Sequence, residues 1–230
     1  MTTCAKWSKR ASATADKVVS PHKLTEPGLW VERIGDRVFP PHLPALFLDR
    51  DGTINVDTDY PSDPAEMELR PQMLPAIAAA NRTGIPVVVV TNQSGIARGY
   101  FGWSAFAAVN GRVLELLGNQ GVFVDMVLAC AYHEAGVGPL AVADHPMRKP
   151  NPGMLIEAGK RLDLDLQRSL IVGDRLADMQ AGKRAGLAQG WLVDGDAAAQ
   201  PGFAIRPLRD SSDLGGLLAA IEALGRDNRS

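Results

Sequence analysis

Two aspartates stand two residues apart in Leu48-Asp49-Arg50-Asp51-Gly52-Thr53-Ile54, directly after a short apolar run. In extended backbone, residues i and i+2 face the same way, so both carboxylates can reach one site. Acids this close repel each other unless one is protonated or a cation sits between them. Gly52 then lets the chain turn sharply beside a ligand. A solvated acidic turn is the bland reading of such a string, and three further strings argue against it. After Val87–Val90 comes Thr91-Asn92-Gln93-Ser94-Gly95, a hydroxyl followed by small residues that expose amides. After Ser169–Val172 comes Gly173-Asp174-Arg175, with Asp178 one helical turn later. Arg148-Lys149-Pro150 leads into a helix that starts at Asn151-Pro152-Gly153. Carboxylates around a hard divalent ion describe a magnesium site, with coordination left for water and phosphate. A hydroxyl, backbone amides and a lysine describe a phosphate cradle.

These strings need a frame that brings them together. From residue 45 onward, short apolar runs alternate with segments of helical period. The expected strands are Ala45–Leu48, Pro86–Val90, Val122–Ala131, Leu170–Val172 and Trp191–Val193, apolar enough to be covered on both faces. Helices are expected near 72–82, 104–117, 153–162, 176–185 and 213–224, with Ser104 as an N-cap. The alternation predicts an α/β fold, a doubly wound parallel sheet with right-handed crossovers. Ligands in such sheets bind outside the carboxyl ends of the strands, where the acids, the hydroxyl and the cations fall. Three segments follow: a basic tail over 1–27, an appended hairpin with a proline-rich lead-in over 28–44, and a single domain over 45–230. In the hairpin, Leu29–Val31 and Val38-Phe39 would flank a Gly35-Asp36 turn.

The four strings in order resemble the haloacid dehalogenase superfamily of aspartate-nucleophile phosphatases, over residues 45 to 195. Phe47–Asp57, Val87–Gly99, Arg148–Met154 and Gly173–Gly182 are similar, within it, to the heptose-bisphosphate and histidinol-phosphate phosphatases. The resemblance implies an aspartyl-phosphate formed on Asp49, and Asp51 as the acid that protonates the leaving alkoxide and then activates water. It implies that Thr91 and Lys149 hold the transferring phosphoryl group. Magnesium would sit on Asp49, Asp174 and the backbone carbonyl of Asp51. Asp178 is read as a neighbour of the metal site or a helix-surface residue, not as a ligand. Arg148 matches a substrate-recognition arginine, Asp57 to Tyr60 a substrate-contacting loop, and Asn92, Gln93 and Ser94 belong to the cradle. Arg98 could meet a second phosphate. Only 40 residues separate Asp51 from Thr91 and 58 separate Thr91 from Lys149, so no cap domain fits. Specificity is expected from the loops 55–66, 96–103 and 132–147. Many members carry a zinc loop here, but Tyr132, His145 and Met147 stand where its ligands would be. Cys130, His133 and His145 could offer zinc sulfur and imidazole, yet a fourth ligand is wanting. The expectation is a metal-free loop with Cys130 buried.

The 230 residues carry a net charge of −2, made of +4 over residues 1–25 and −6 over the rest. An acidic body argues against nucleic acid as a partner, since phosphate backbones want clustered cations. Two cysteines exclude a disulfide framework and suit a reducing compartment. No run approaches the ~20 apolar residues needed to cross a bilayer, and no signal peptide is visible. The expectation is a cytoplasmic monomer acting on a small phosphorylated metabolite, without a membrane or nucleic-acid partner. On the resemblance, that metabolite is a heptose 1,7-bisphosphate losing its 7-phosphate. The alternatives are histidinol phosphate, nucleic-acid ends, or a non-catalytic phosphate-binding protein.

Overall fold

The computed structural model describes residues 24–196 and 199–227. Its sheet has nine strands: β1 (Leu24–Glu26), β2 (Leu29–Arg33), β3 (Leu46–Leu48), β4 (Val87–Asn92), β5 (Met126–Cys130), β6 (Leu170–Gly173), β7 (Gln189–Val193), β8 (Ala199–Gln200) and β9 (Phe203–Leu208). The spatial order is β1-β2-β5-β4-β3-β6-β7-β9-β8. The six strands from β5 to β9 run parallel, and β1, β2 and β8 are antiparallel additions at the two edges. This is the doubly wound sheet that the alternation of elements predicts.

Both faces of the sheet are covered because successive residues in the central strands point to opposite sides and both sets are apolar. Leu46, Leu48, Val87 and Val89 face α1 (Leu74–Thr83), α3 (Trp103–Asn119) and α6 (Ser211–Asp227). Phe47, Val88 and Val90 face α4 (Gly153–Leu162) and α5 (Leu176–Arg184) on the other side. A short helix, α2 (Ser94–Ala97), follows β4 directly.

Register fixes the site. Leu48 pairs with Val89 on one side and Val172 on the other, so Asp49, Thr91 and Asp174 leave the sheet within two residues of one line. Asp49 still donates its N–H to Val172 O at 2.9 Å, which ties the first acid to the rigid sheet.

Three expectations shift. The hairpin lies earlier, between β1 and β2 around Pro27-Gly28, and Val38 is 89% exposed outside any strand. Strand β2 is already paired on both sides, by β1 and β5, so Val38-Phe39 has no free edge to join. The tail expected over 1–27 lies outside the described residues as far as 23, and its end forms β1. The N-cap of α3 is Gly102, with Ser104 inside the helix and making no capping bond. Strands β8 and β9 extend the sheet beyond the five expected strands.

Candidate active site

Lys149 is the hub. Lys149 is 4% exposed, and its ammonium meets Asp49 Oδ1 at 2.7 Å, Asp178 Oδ1 at 2.6 Å and the Val90 carbonyl at 2.7 Å. Burial alone would lower its pKa, but Asp178 first and Asp49 second offset that and hold it above the ordinary lysine value. The loop that carries it is pinned by Asn92, whose side chain donates to Lys149 O at 2.9 Å and accepts from Lys149 N at 3.1 Å. Burial pushes the Asp49 carboxyl up to about 8; Lys149 pulls it down, while Asp178 and Asp51 push it further up.

Asp178 is not a helix-surface residue. It is 1% exposed, and besides gripping Lys149 it accepts from Arg175 N at 3.0 Å, which caps the first turn of α5. The approach is so close that a Cβ on Gly173 would run into the Asp178 carboxylate, which explains the glycine before Asp174. The Asp-x-x-x-Asp spacing held the signal, since one helical turn returns the second acid to the strand end.

Asp49, Asp174 and Asp178 offer carboxylate oxygens within 4.8 Å of one another, the one such group of His, Cys, Asp or Glu among the described residues. Asp178 spends both oxygens on Lys149 and Arg175. Asp174 Oδ1, by contrast, is buried with no hydrogen-bond partner. Burial and the Asp178 charge raise its pKa. A pair of close carboxylates with an orphaned buried oxygen suits a hard divalent cation. Gly52 (φ 83°) completes this corner, because a side chain there would strike Asp174.

The environment of Asp51 differs from what a proton donor needs. Burial raises its pKa, but Arg50, bonding at 2.9 and 2.8 Å, outweighs this together with Asn55 (3.1 Å) and Gln93 (2.9 Å). The carboxyl is therefore held below its ordinary value, as a carboxylate. Arg50 is 1% exposed, lies over the Phe106 ring, and keeps Nη1 without a partner. No sequence signal singles out Arg50, because a side chain between two acids reads as solvent-facing. Gln93 also donates to Thr91 Oγ1 at 3.0 Å, linking the strand-end hydroxyl to Asp51.

A cleft of about 200 Å³ opens above these groups. Asp49, Asp51, Thr91, Asn92, Gln93, Ser94, Arg148 and Lys149 line it, with Asp57 and Tyr60 from the loop after β3. Asp174 lies behind Gly52 and lines a neighbouring hollow instead. Arg175, which the sequence reading left without a role, reaches the cleft wall and pairs with Asp57 at 3.2 Å. Arg98 does not line the cleft; it sits over the Tyr60 ring with Nη2 3.3 Å from His133 Nε2 and a buried, unpartnered Nε. Cys130 is buried, and burial pushes its thiol up to about 12. His145 stacks on Tyr132, and Cys130, His133 and His145 do not converge as a ligand group.

Among described helices, none is long and apolar enough to cross a membrane. A family model described as haloacid dehalogenase-like hydrolase matches residues 63–186. The chain is 89% identical over 216 residues to a D-glycero-beta-D-manno-heptose-1,7-bisphosphate 7-phosphatase of Mesorhizobium japonicum, covering 94% of this chain and all of that one. The crystal structure of a HAD-like phosphatase from Mesorhizobium loti superposes with a TM-score of 0.89 at 90% identity, over 91% of this chain and all of that one. A D,D-heptose 1,7-bisphosphate phosphatase from B. bronchiseptica, complexed with magnesium and phosphate, gives 0.63 at 33% identity, over 80% of this chain and 99% of that one. With the acids, the lysine and the cradle at level strand ends, these matches make the chain a member of the haloacid dehalogenase-like hydrolases.

Proposed function

We propose that this chain is a magnesium-dependent phosphatase that removes the 7-phosphate from D-glycero-β-D-manno-heptose 1,7-bisphosphate. The observation that carries the chemistry is Lys149 Nζ, held on Asp49, Asp178 and the Val90 carbonyl at the floor of the cleft. The name of the 89% identical relative carries the substrate.

The catalytic carboxylate is Asp49. It attacks phosphorus, and the bond to the sugar oxygen breaks as the new P–O bond to Asp49 forms. A carboxylate approaching a phosphate meets like-charge repulsion, which Lys149 offsets at the reacting oxygens. Thr91 and the Ser94 amide hold the phosphoryl oxygens, while Asn92 and Gln93 shape the cradle from behind, Asn92 through Lys149 and Gln93 through Asp51, Thr91 and Cys130 O. The sugar alkoxide takes a proton from Asp51; water, deprotonated by Asp51, then cleaves the aspartyl-phosphate. Because Arg50 and Gln93 hold Asp51 as a carboxylate, its resting form suits the second of these steps. For the first it must take up a proton and loosen from one of those partners. Asp49 and Asp174, with the Asp51 carbonyl, would hold magnesium, which supplies positive charge beside the phosphoryl oxygens.

The 1-phosphate falls to Arg148 on the cleft wall, with Arg98 behind Tyr60. Asp57 and Tyr60 close the sugar side. We read the protein as one chain working alone on a small phosphorylated sugar in the cytoplasm. Phosphate release with magnesium is the test, run on the heptose bisphosphate, histidinol phosphate and a 5′-phosphorylated oligonucleotide. Phosphorus NMR of the product should show the anomeric phosphate retained. Preference for histidinol phosphate or the oligonucleotide would overturn the substrate, and no hydrolysis of any of them would overturn the activity.

A further inference from the structure

Arg148 is anchored without a carboxylate. Its Nη1 donates to Tyr132 O at 3.1 Å and its N–H to His145 O at 2.9 Å, and no ion pair to it occurs among the described residues. A neutral anchor orients a guanidinium while leaving its positive charge for an incoming anion. The two residues that supply those carbonyls are themselves joined: the Tyr132 and His145 rings stack with centroids 3.9 Å apart. Behind them stands the edge hairpin. Glu26 Oε1 lies 3.9 Å from His145 Nε2, and the Glu26 charge adds to burial in raising the Tyr132 hydroxyl above its ordinary pKa. A Cβ on Gly28 would sit 2.6 Å from the Tyr132 ring. The turn is held in turn by Trp103 Nε1, which donates to Pro27 O at 2.9 Å, and by Ala131 N, which donates to Gly28 O at 2.8 Å.

We propose that the turn between β1 and β2 belongs to the substrate apparatus: Glu26 and Gly28 clamp Tyr132, and the Tyr132–His145 stack fixes the two carbonyls on which Arg148 hangs. Tyr132 is then a positioning residue for recognition of the second phosphate, an inference that rests on Arg148 meeting that phosphate. The chemistry supports a positional role. Tyr132 is buried against the hairpin, so its ring cannot reach the cleft, and only its carbonyl touches a cleft residue. Edge strands need a partner or a cover, and β1 and β2 cover the edge that β5 would otherwise expose. The same contact that closes the edge also reaches the arginine.

The test is steady-state kinetics on the full chain, with the heptose bisphosphate and with p-nitrophenyl phosphate, which has no second phosphate. Tyr132→Ala is expected to raise KM for the bisphosphate about tenfold, the scale of one misplaced charge-assisted hydrogen bond, with kcat and p-nitrophenyl phosphate turnover within about twofold. Tyr132→Phe and Glu26→Ala leave the ring stack in place while removing polar contact on the hairpin side, and each should give a smaller rise of about threefold. Added to Arg148→Ala, Tyr132→Ala should cost nothing more, since it acts through that side chain. Three results overturn the proposal: an unchanged KM in Tyr132→Ala while Arg148→Ala is impaired; full additivity of the two; or a parallel loss of p-nitrophenyl phosphate activity. An Arg148→Ala variant with normal KM for the bisphosphate would overturn the reading of the second phosphate, and the proposal with it.

Discussion

Replacing Asp178 tests whether the lysine hub is the centre of the site. The ammonium of Lys149 is buried and has three oxygens on it, two of them charged. Asp178→Ala removes one charge and also the acceptor for Arg175 N at the start of α5. Breaking a buried ion pair by removing one partner costs about 3–5 kcal/mol, and losing an N-terminal cap costs about 1 kcal/mol. The two losses share one side chain, so about 4 kcal/mol is the expected total. Asp178→Asn keeps the shape and one acceptor oxygen, which cannot serve both Lys149 and Arg175 N. It should lose a single charged hydrogen bond, about 1.5–3 kcal/mol. Denaturant titration of the three proteins measures these differences, with both variants unfolding at lower denaturant and Ala lowest. Turnover should fall too. Without Asp178, the ammonium is free to settle wholly on Asp49, the carboxylate that attacks in the proposed mechanism. If about 2 kcal/mol of that placement is lost at the transition state, kcat/KM drops about 30-fold. An Asp178→Ala protein within 1 kcal/mol of the parent and with near-normal kcat/KM would refute the whole account of Lys149.

Asp49→Asn should lose turnover by about 10³-fold or more while circular dichroism and thermal unfolding stay native-like, since in the proposed mechanism this group attacks phosphorus itself. Gly173→Ala should destabilise by about 1–3 kcal/mol, measured by thermal unfolding, because its new methyl group has to displace the Asp178 carboxylate. A chelator should abolish phosphate release and added magnesium restore it. Magnesium affinity should also weaken as the pH falls from 8 to 6: with its pKa raised to about 8, Asp49 takes up a proton over that range, and the proton competes with the cation. Isothermal titration at several pH values reads that slope directly.

The central sheet was legible because β3, β4, β5 and β6 are short runs, apolar on both faces and in part β-branched, the pattern of covered strands. Strand β9 was not. Its alternation of Phe203 and Ile205 inward with Ala204 and Arg206 outward is a half-buried pattern, yet Pro207 in the run argues against a strand. The sheet tolerates it near the edge, where Pro207 sits beside Leu192. The hairpin was misplaced for a different reason: Gly35-Asp36 does turn, with Gly35 at φ 69°, but pairing depends on free edges, which local sequence does not describe. At the site, residue types told which groups meet and register told why. What they could not tell was ownership of hydrogen bonds. Asp51 lines the cleft, but its bonds to Arg50, Asn55 and Gln93 depend on rotamers that only packing selects.

Ownership of charge also settles how an acidic protein comes to handle phosphate. Asp49, Asp51, Asp174 and Asp178 face Arg50 and Lys149, and Arg175 lies 3.7 Å from Asp174 while also pairing with Asp57; five acids against three cations leave an excess of two negative charges if all are ionised. Arg50 is bound to Asp51 from behind and turns its remaining face to Phe106, so it offers the substrate little. At an effective dielectric of 20, two like charges 4 Å apart repel by about 4 kcal/mol, enough to keep a phosphate dianion out of the cleft. The same repulsion, added to burial, pushes the Asp49 carboxyl up to about 8 and so masks the nucleophile with a proton near neutrality. Asp49 and Asp174 would hold a divalent cation whose positive charge favours the Asp49 carboxylate and offsets the repulsion an anion meets. The negative excess at the site is thus a physical reason for the chemistry to need magnesium, while Arg148, held by carbonyls rather than acids, keeps its charge for an incoming anion.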